Sequence, residues 1–235
     1  IYFLSKEITN SKITAVFSAL ILMFLPVFLS ITTYAKNHGA STFLALFSVY
    51  LAFIANKNKS WKLKVCSSLV LGLSISVRFS DILFIPILAL ILWKDNFPIK
   101  LNTTGKWMRV KFLGIKNIMV DLILLLLPAF LVFLSLHAKM LSTSGLEPIL
   151  YAGMQDSRFM GFFTPLLNMS LEWFMFSITW PGLIFALIGI YLFYKKKLYE
   201  TFTLIIWTMI CILYLGNLAT ISPRFMIPGF IPGII

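Results

Sequence analysis

Arg78 and Asp81 stand three residues apart inside a run, residues 65–93, that is otherwise almost wholly apolar. A guanidinium and a carboxylate are costly in hydrocarbon, so such groups face a cavity, a partner or the water boundary. The planar fork of Arg78 suits a phosphate arriving along a membrane surface. The pair can equally neutralise itself across a turn, with Ser80 or Asp81 capping the helix that follows. The two readings are compatible, and for Asp81 the structural one comes first. Arg224 follows Ser222-Pro223 and precedes an apolar run broken by Pro228 and Pro232. Such an arginine either snorkels to headgroups as an anchor or shares an anionic ligand with Arg78. Tyr151, Gln155, Asp156 and Arg158 make a further dense polar group, open to a solvated or a substrate-binding reading.

Other chemistry is poorly provided for. The eight acids include no Asp-x-Asp or Asp-Glu pair of the kind that holds a divalent metal. His38 and His137 lie far apart, without the spacing of a metal motif. No metal site is expected from these residues alone, although a divalent ion remains open for a longer protein. Nucleophile motifs, glycine-rich phosphate loops and zinc motifs are missing. Cys66 and Cys211 both fall in apolar segments and support no disulfide framework. Asn168-Met169-Ser170 is a glycosylation sequon, a triplet common by chance.

The elements that must position these residues are membrane helices. Sixty per cent of the chain is hydrophobic and twelve per cent charged, which excludes an ordinary soluble domain. Apolar segments cover residues 13–34, 40–55, 118–136, 178–194 and 201–221, with another after Arg224. Their backbones must bond internally, which makes them helices. The expected fold is all-α, a polytopic transmembrane bundle forming one domain over residues 1–235. Because the sequence starts at Ile1 and stops in an apolar run, it reads as an internal piece of a longer protein.

The run 65–93 is too long for one span and too short for two full ones, since a crossing takes about 20 apolar residues. Charge decides between the options. If the run is a short helical hairpin with Arg78 and Asp81 at its turn, fifteen of the twenty Lys and Arg fall on one side. A single long span leaves nine against ten with Arg78 buried. Positive residues gather in cytoplasmic loops, so the hairpin is preferred and Arg78 faces the other side. Trp61, Trp93 and Trp107 then mark the basic boundary, and Trp173 and Trp180 the opposite one. A long outer loop runs over residues 137–173, while the basic stretch 96–117 reads as lipid-facing, drawn to anionic headgroups. The net charge of +12 therefore follows the membrane, and no nucleic-acid partner is expected.

Leu71-Gly72-Leu73-Ser74-Ile75-Ser76-Val77-Arg78, followed by an apolar stretch with Pro86, resembles a segment of polytopic glycosyltransferases of the GT-C fold. The chain is most similar to the dolichyl-phosphate-mannose–protein mannosyltransferase-like superfamily, with its Rgt-like and aminoarabinose transferases. Ile1-Tyr2-Phe3-Leu4 and the segment up to Pro26 and on to Tyr50 resemble the region before it. Ser222-Pro223-Arg224-Phe225-Met226-Ile227-Pro228 resembles the family's Arg-Tyr-x-x-Pro entry to a late helix. The resemblance implies transfer of a sugar from a polyprenyl-phosphate donor to a lipid, glycan or protein acceptor, on the extracytoplasmic face of a cell (plasma) membrane. It implies a multi-pass protein in contact with membrane lipids, acting in the cell envelope or in protein glycosylation. The family's catalytic acid would precede Ile1, and a second family Asp corresponds to His38. That substitution bears on activity or donor type. Substrate contacts would then come from Arg78, Arg224, Asp81, His38, Asp156 and Arg158. Two other functions fit the same pattern: a transporter or flippase lined by Arg78 and Asp81, and an O-antigen-ligase or polymerase-like enzyme.

Overall fold

The computed structural model describes residues 1–24, 38–94, 115–145 and 198–215, with positions 184, 187–192, 194, 232 and 235. Among these residues every regular element is helical, a membrane-type bundle without strands. The helices are α1 (Tyr2–Thr9), α2 (Lys12–Phe24), α3 (His38–Lys57), α4 (Trp61–Val77), a 3-10 turn (Phe79–Leu83), α5 (Phe84–Leu92), α6 (Ile115–Ser144) and α7 (Leu198–Leu215). Among the described residues, two stretches are long and apolar enough to cross a membrane, Gly39–Lys57 and Asn117–Thr143. Positions 187–192 are helical, but most of the expected 178–194 segment, and all of the run around Arg224, lie outside the described residues.

An apolar core that includes Leu71, Phe84, Leu88 and Trp207 is interleaved with buried serines, and much large apolar surface stays outside. The interior holds Ser5, Ser18, Ser41, Ser48, Ser67, Ser68 and Ser74, while Phe17, Phe24, Phe43, Ile123, Leu127, Phe130 and Leu131 are exposed. Small hydroxyl residues let backbones approach and bond across helices, whereas large apolar side chains suit lipid. Ser67 donates to the Ser48 carbonyl at 2.8 Å, tying α4 to α3. On the other face of α4, Ser68 enters the hydrogen-bond ladder of α6. Its hydroxyl donates to the Leu125 carbonyl and accepts from the Ala129 N–H at 3.0 Å, beside Pro128. A hydroxyl thus stands where the direct 129-to-125 bond would run, next to a residue that has no N–H of its own. One turn on, a Cβ added to Gly72 would meet the Ala129 carbonyl oxygen at 2.6 Å. Only glycine fits there.

Contacts between helices give the bundle two ends. At one, Lys57 pairs with Glu7 at 2.8 Å, Lys64 with Asp121 at 2.5 Å and Lys94 with Glu200 at 2.6 Å. At the other, Ser41 meets Asp81, and the Phe79 ring lies 6.3 Å from Phe133. Lys64 and Leu92 line one cavity at the basic end, although each is fourteen residues from Arg78. The chain therefore rises along α4, turns at Arg78 and returns along α5. The run 65–93 is the short hairpin that the charge pattern requires.

Two expectations are corrected. The apolar segment 118–136 does not end where a loop was expected, because α6 continues through His137 to Ser144. His137 stacks on Phe133 at 4.6 Å, and the Ser142 and Thr143 hydroxyls turn back onto the Lys139 carbonyl, so polar side chains are accommodated within the helix. Neither Ser80 nor Asp81 caps α5. Leu83 holds the N-cap position without a side-chain bond, and the Ser80 hydroxyl is buried with no partner among the described residues.

Candidate functional site

The hairpin tip is built by a backbone break and a buried carboxylate. α4 ends when Arg78 takes an extended conformation (φ −151°, ψ 111°), its N–H still donating to the Ser74 carbonyl at 2.8 Å. The chain tightens at once into the 3-10 turn, with the Asp81 N–H on the Arg78 carbonyl at 3.0 Å. Pro86 follows in the first turn of α5, where a missing N–H costs little.

Asp81 is 2 % exposed. Its Oδ2 accepts hydroxyls from Ser41 of α3 and Ser74 of α4. Ser74 also lies 3.0 Å from the Ser41 carbonyl, so its single proton is divided between two acceptors. Three segments distant in sequence meet at one oxygen. A buried carboxylate requires such donors, and here they bind the turn to both neighbouring helices. Arg78 is half-buried and close enough to act electrostatically on this carboxylate. Cys211 of α7 reaches the same electrostatic neighbourhood but is itself buried at 1 % exposure.

His38 opens α3 three residues before Ser41, so one helical turn separates it along the chain from the Asp81 network. His38, Arg78 and Asp81, far apart in sequence, thus belong to one end of the bundle. Arg224, Asp156 and Arg158, like Tyr151 and Gln155, lie outside the described residues.

Two features at this end escape a sequence reading. The serines that hold Asp81 look like ordinary small residues in apolar helices, and nothing in their spacing marks them. His137 reads as a loop residue, yet α6 carries it one turn beyond Phe133, which packs on Phe79 next to Arg78. Its Nδ1 lies 3.2 Å from the Phe133 carbonyl. With the proton on Nδ1, Nε2 is left as an acceptor.

Among the described residues, no group of three or more His, Cys, Asp or Glu could hold a metal ion. What the tip offers is a guanidinium carried on a turn that a buried carboxylate holds, and a guanidinium suits an anionic group.

A family profile described as dolichyl-phosphate-mannose-protein mannosyltransferase matches residues 1–123, just over half of the chain. No curated protein and no solved structure matches it.

Proposed function

We propose a function on the premise that this chain belongs to the dolichyl-phosphate-mannose-protein mannosyltransferase family and is a membrane glycosyltransferase of mannosyltransferase type. Its donor is a polyprenyl-phosphate-linked sugar. Its acceptor is a hydroxyl of a lipid, glycan or protein, and residues 1–235 act as one multi-pass domain. The reaction takes place at the hairpin tip, on the extracytoplasmic face of the plasma membrane. The fifteen-to-five charge division supports that sidedness, because basic loops stay in the cytoplasm.

In the transfer step, an acceptor oxygen bonds to the anomeric carbon while the bond from that carbon to the phosphate oxygen breaks. The electron pair leaves with the phosphate, and the acceptor proton passes to a base. Arg78 stabilises the charge that grows on the leaving phosphate. Asp81, held by Ser41 and Ser74, is a positioning residue that sets the turn carrying Arg78. Arg224 is assigned as a second cation for the same phosphate. His38 stands in the donor site where the family pattern has an acid, and Asp156 and Arg158 contact the acceptor side. Asp81 is the one carboxylate at this end among the described residues and is committed to two serines, so it is not the base.

The observation that carries this reading is the helix break at Arg78, fixed by a buried carboxylate at the end of the bundle opposite the lysine clusters. Full-length protein carrying Arg78→Ala tests it. Turnover should fall about a hundredfold, the magnitude typical of a lost charge-stabilising donor, with an unchanged melting temperature. Arg78→Lys should recover part of the loss, because the charge returns without the fork. Normal turnover and donor binding with a lowered melting temperature would reduce Arg78 to an anchor.

A further inference from the structure

At the basic end, away from the tip, a cavity of about 290 Å³ opens between α3, α4, α5 and α6. It is lined by Asn56, Lys59, Lys64, Leu92, Asn117, Val120 and Asp121. Its size is at the lower limit for small-molecule sites. The walls are divided by chemistry. Asn56 and Asn117 offer amide donors, Lys59 and Lys64 are cationic, and Leu92 and Val120 are apolar.

Charges in the cavity do not cancel. Asp121 takes Lys64 at 2.5 Å, and both are largely buried. Lys59 has no counter-charge among the described residues, which leaves one net positive charge. The backbone of Lys59 is also unusual. It sits in the left-handed region at φ 50°, just past the end of α3. Two bonds hold it there: its own N–H to the Asn56 carbonyl at 3.3 Å, and the Ser60 N–H to the Ala55 carbonyl at 3.0 Å. Glycine or asparagine occupies such a helix-ending position at lower cost. A lysine there is unfavourable for the fold, and it places a cation at the mouth of the cavity.

The outer wall continues as an apolar strip. Val120, Ile123, Leu127 and Leu131 follow one another along α6 and are each between 46 % and 55 % exposed. A cationic, amide-lined pocket at the head of a lipid-facing strip matches a molecule with an anionic phosphate head and hydrocarbon tails. The geometry points to a binding site for an anionic phospholipid in the leaflet at the basic end, with its phosphate between Lys59, Asn56 and Asn117 and its acyl chains along α6. A free phosphate would use the pocket but not the strip. This site is independent of the sugar-transfer reading and lies at the other end of the molecule.

Lys59→Asn tests it, because asparagine tolerates the left-handed conformation while removing the charge. Full-length protein is reconstituted in nanodiscs of phosphatidylcholine with or without phosphatidylglycerol, then released, and retained lipid is read by native mass spectrometry. Wild type should retain phosphatidylglycerol preferentially. Lys59→Asn should cut that retention about fivefold, the effect of one lysine near a headgroup, while its melting temperature in lipid-free detergent stays level or rises. Lys62→Ala, an exposed lysine outside the cavity, should change neither. Equal retention of the two lipids, or equal losses from Lys59→Asn and Lys62→Ala, would overturn the site. So would full displacement by millimolar inorganic phosphate, which would make it a pocket for a soluble anion.

Discussion

The two ends of the bundle treat their acids in opposite ways. At the basic end Glu7, Asp121 and Glu200 each take a lysine from another segment, closing α1 on α3, α4 on α6 and the end of α5 on α7. At the tip the single described acid, Asp81, takes two serine hydroxyls instead. Lysine and carboxylate neutralise each other and leave little field behind. A carboxylate held by hydroxyls is fixed by hydrogen bonds from two other helices. The basic end therefore clamps helices together, and the tip fixes the turn that carries Arg78.

The largest effect that could break this contrast comes from Asp81. Replacing it with alanine removes both hydrogen bonds and leaves two buried hydroxyls to find new partners. Bonds to a charged group contribute about 1.5–3 kcal/mol each. A loss of roughly 3 kcal/mol is expected, the second bond being partly recovered because Ser74 can turn fully to the Ser41 carbonyl. Sugar transfer should fall with it, as the turn that carries Arg78 loosens. Asp81→Asn keeps an acceptor oxygen and should lose less than half as much stability. Wild-type thermal unfolding of Asp81→Ala in detergent would show that the carboxylate does not hold the tip.

Next in size is the seam that carries the tip's position down to the clamps. Gly72→Ala gains up to about 1 kcal/mol of helix propensity. It also drives a Cβ to 2.6 Å from one backbone atom and 2.8 Å from another, neither of which can turn aside. Overpacking against backbone that cannot give lies toward the upper end of about 1–3 kcal/mol, so a net loss of roughly 2 kcal/mol is expected, with a larger one for Gly72→Val. A stabilised Gly72→Ala protein would mean that α4 and α6 do not meet this closely.

How much of this was legible depends on the range of the signal. The hairpin is visible from the sequence because Arg78 and Asp81 interrupt a run of awkward length and charge counting then rules on the alternatives. Both are properties of the chain read locally or summed along it. The family, too, is carried by short motifs around Gly72–Arg78. The grip on Asp81 is not visible, because Ser41 lies forty residues away and serines are scattered through these helices. Ser68 at Pro128 is hidden for the same reason: the proline signals an irregular ladder, but not which hydroxyl enters it. The acids at the basic end are each legible as flanking a span, while their choice of lysine is settled only by packing. The extension of α6 to Ser144 was missed because hydropathy falls at His137 before helix geometry does.

Third is the half-hidden clamp between α4 and α6. Lys64 and Asp121 are 18 % and 10 % exposed at their side chains. Asp121→Asn leaves a largely buried ammonium with a weaker partner, and a loss of about 1–2 kcal/mol in thermal unfolding is expected. Transfer activity should change far less than stability, since the pair lies at the end remote from Arg78. An activity loss equal to that of Asp81→Ala would dissolve the distinction between clamp and tip.

The smallest effect should come from Glu7 and Lys57, and its smallness is informative. The Lys57 side chain is 63 % exposed, so water and salt screen the pair and its long side chain gives up freedom to hold one geometry. Glu7→Gln should cost no more than about 0.5 kcal/mol. That small loss should vanish when unfolding is repeated at high ionic strength, whereas the Asp121→Asn loss should largely persist because its partners are shielded from solvent. The same contact ties α1 to α3 beside the ring contact of Phe3 with Tyr50 at 6.0 Å, which is indifferent to salt and should keep α1 seated when the charge is removed. A large, salt-resistant loss in Glu7→Gln would show that α1 is held by its charge rather than by its apolar face, Leu4 and Ile8, both of which are buried.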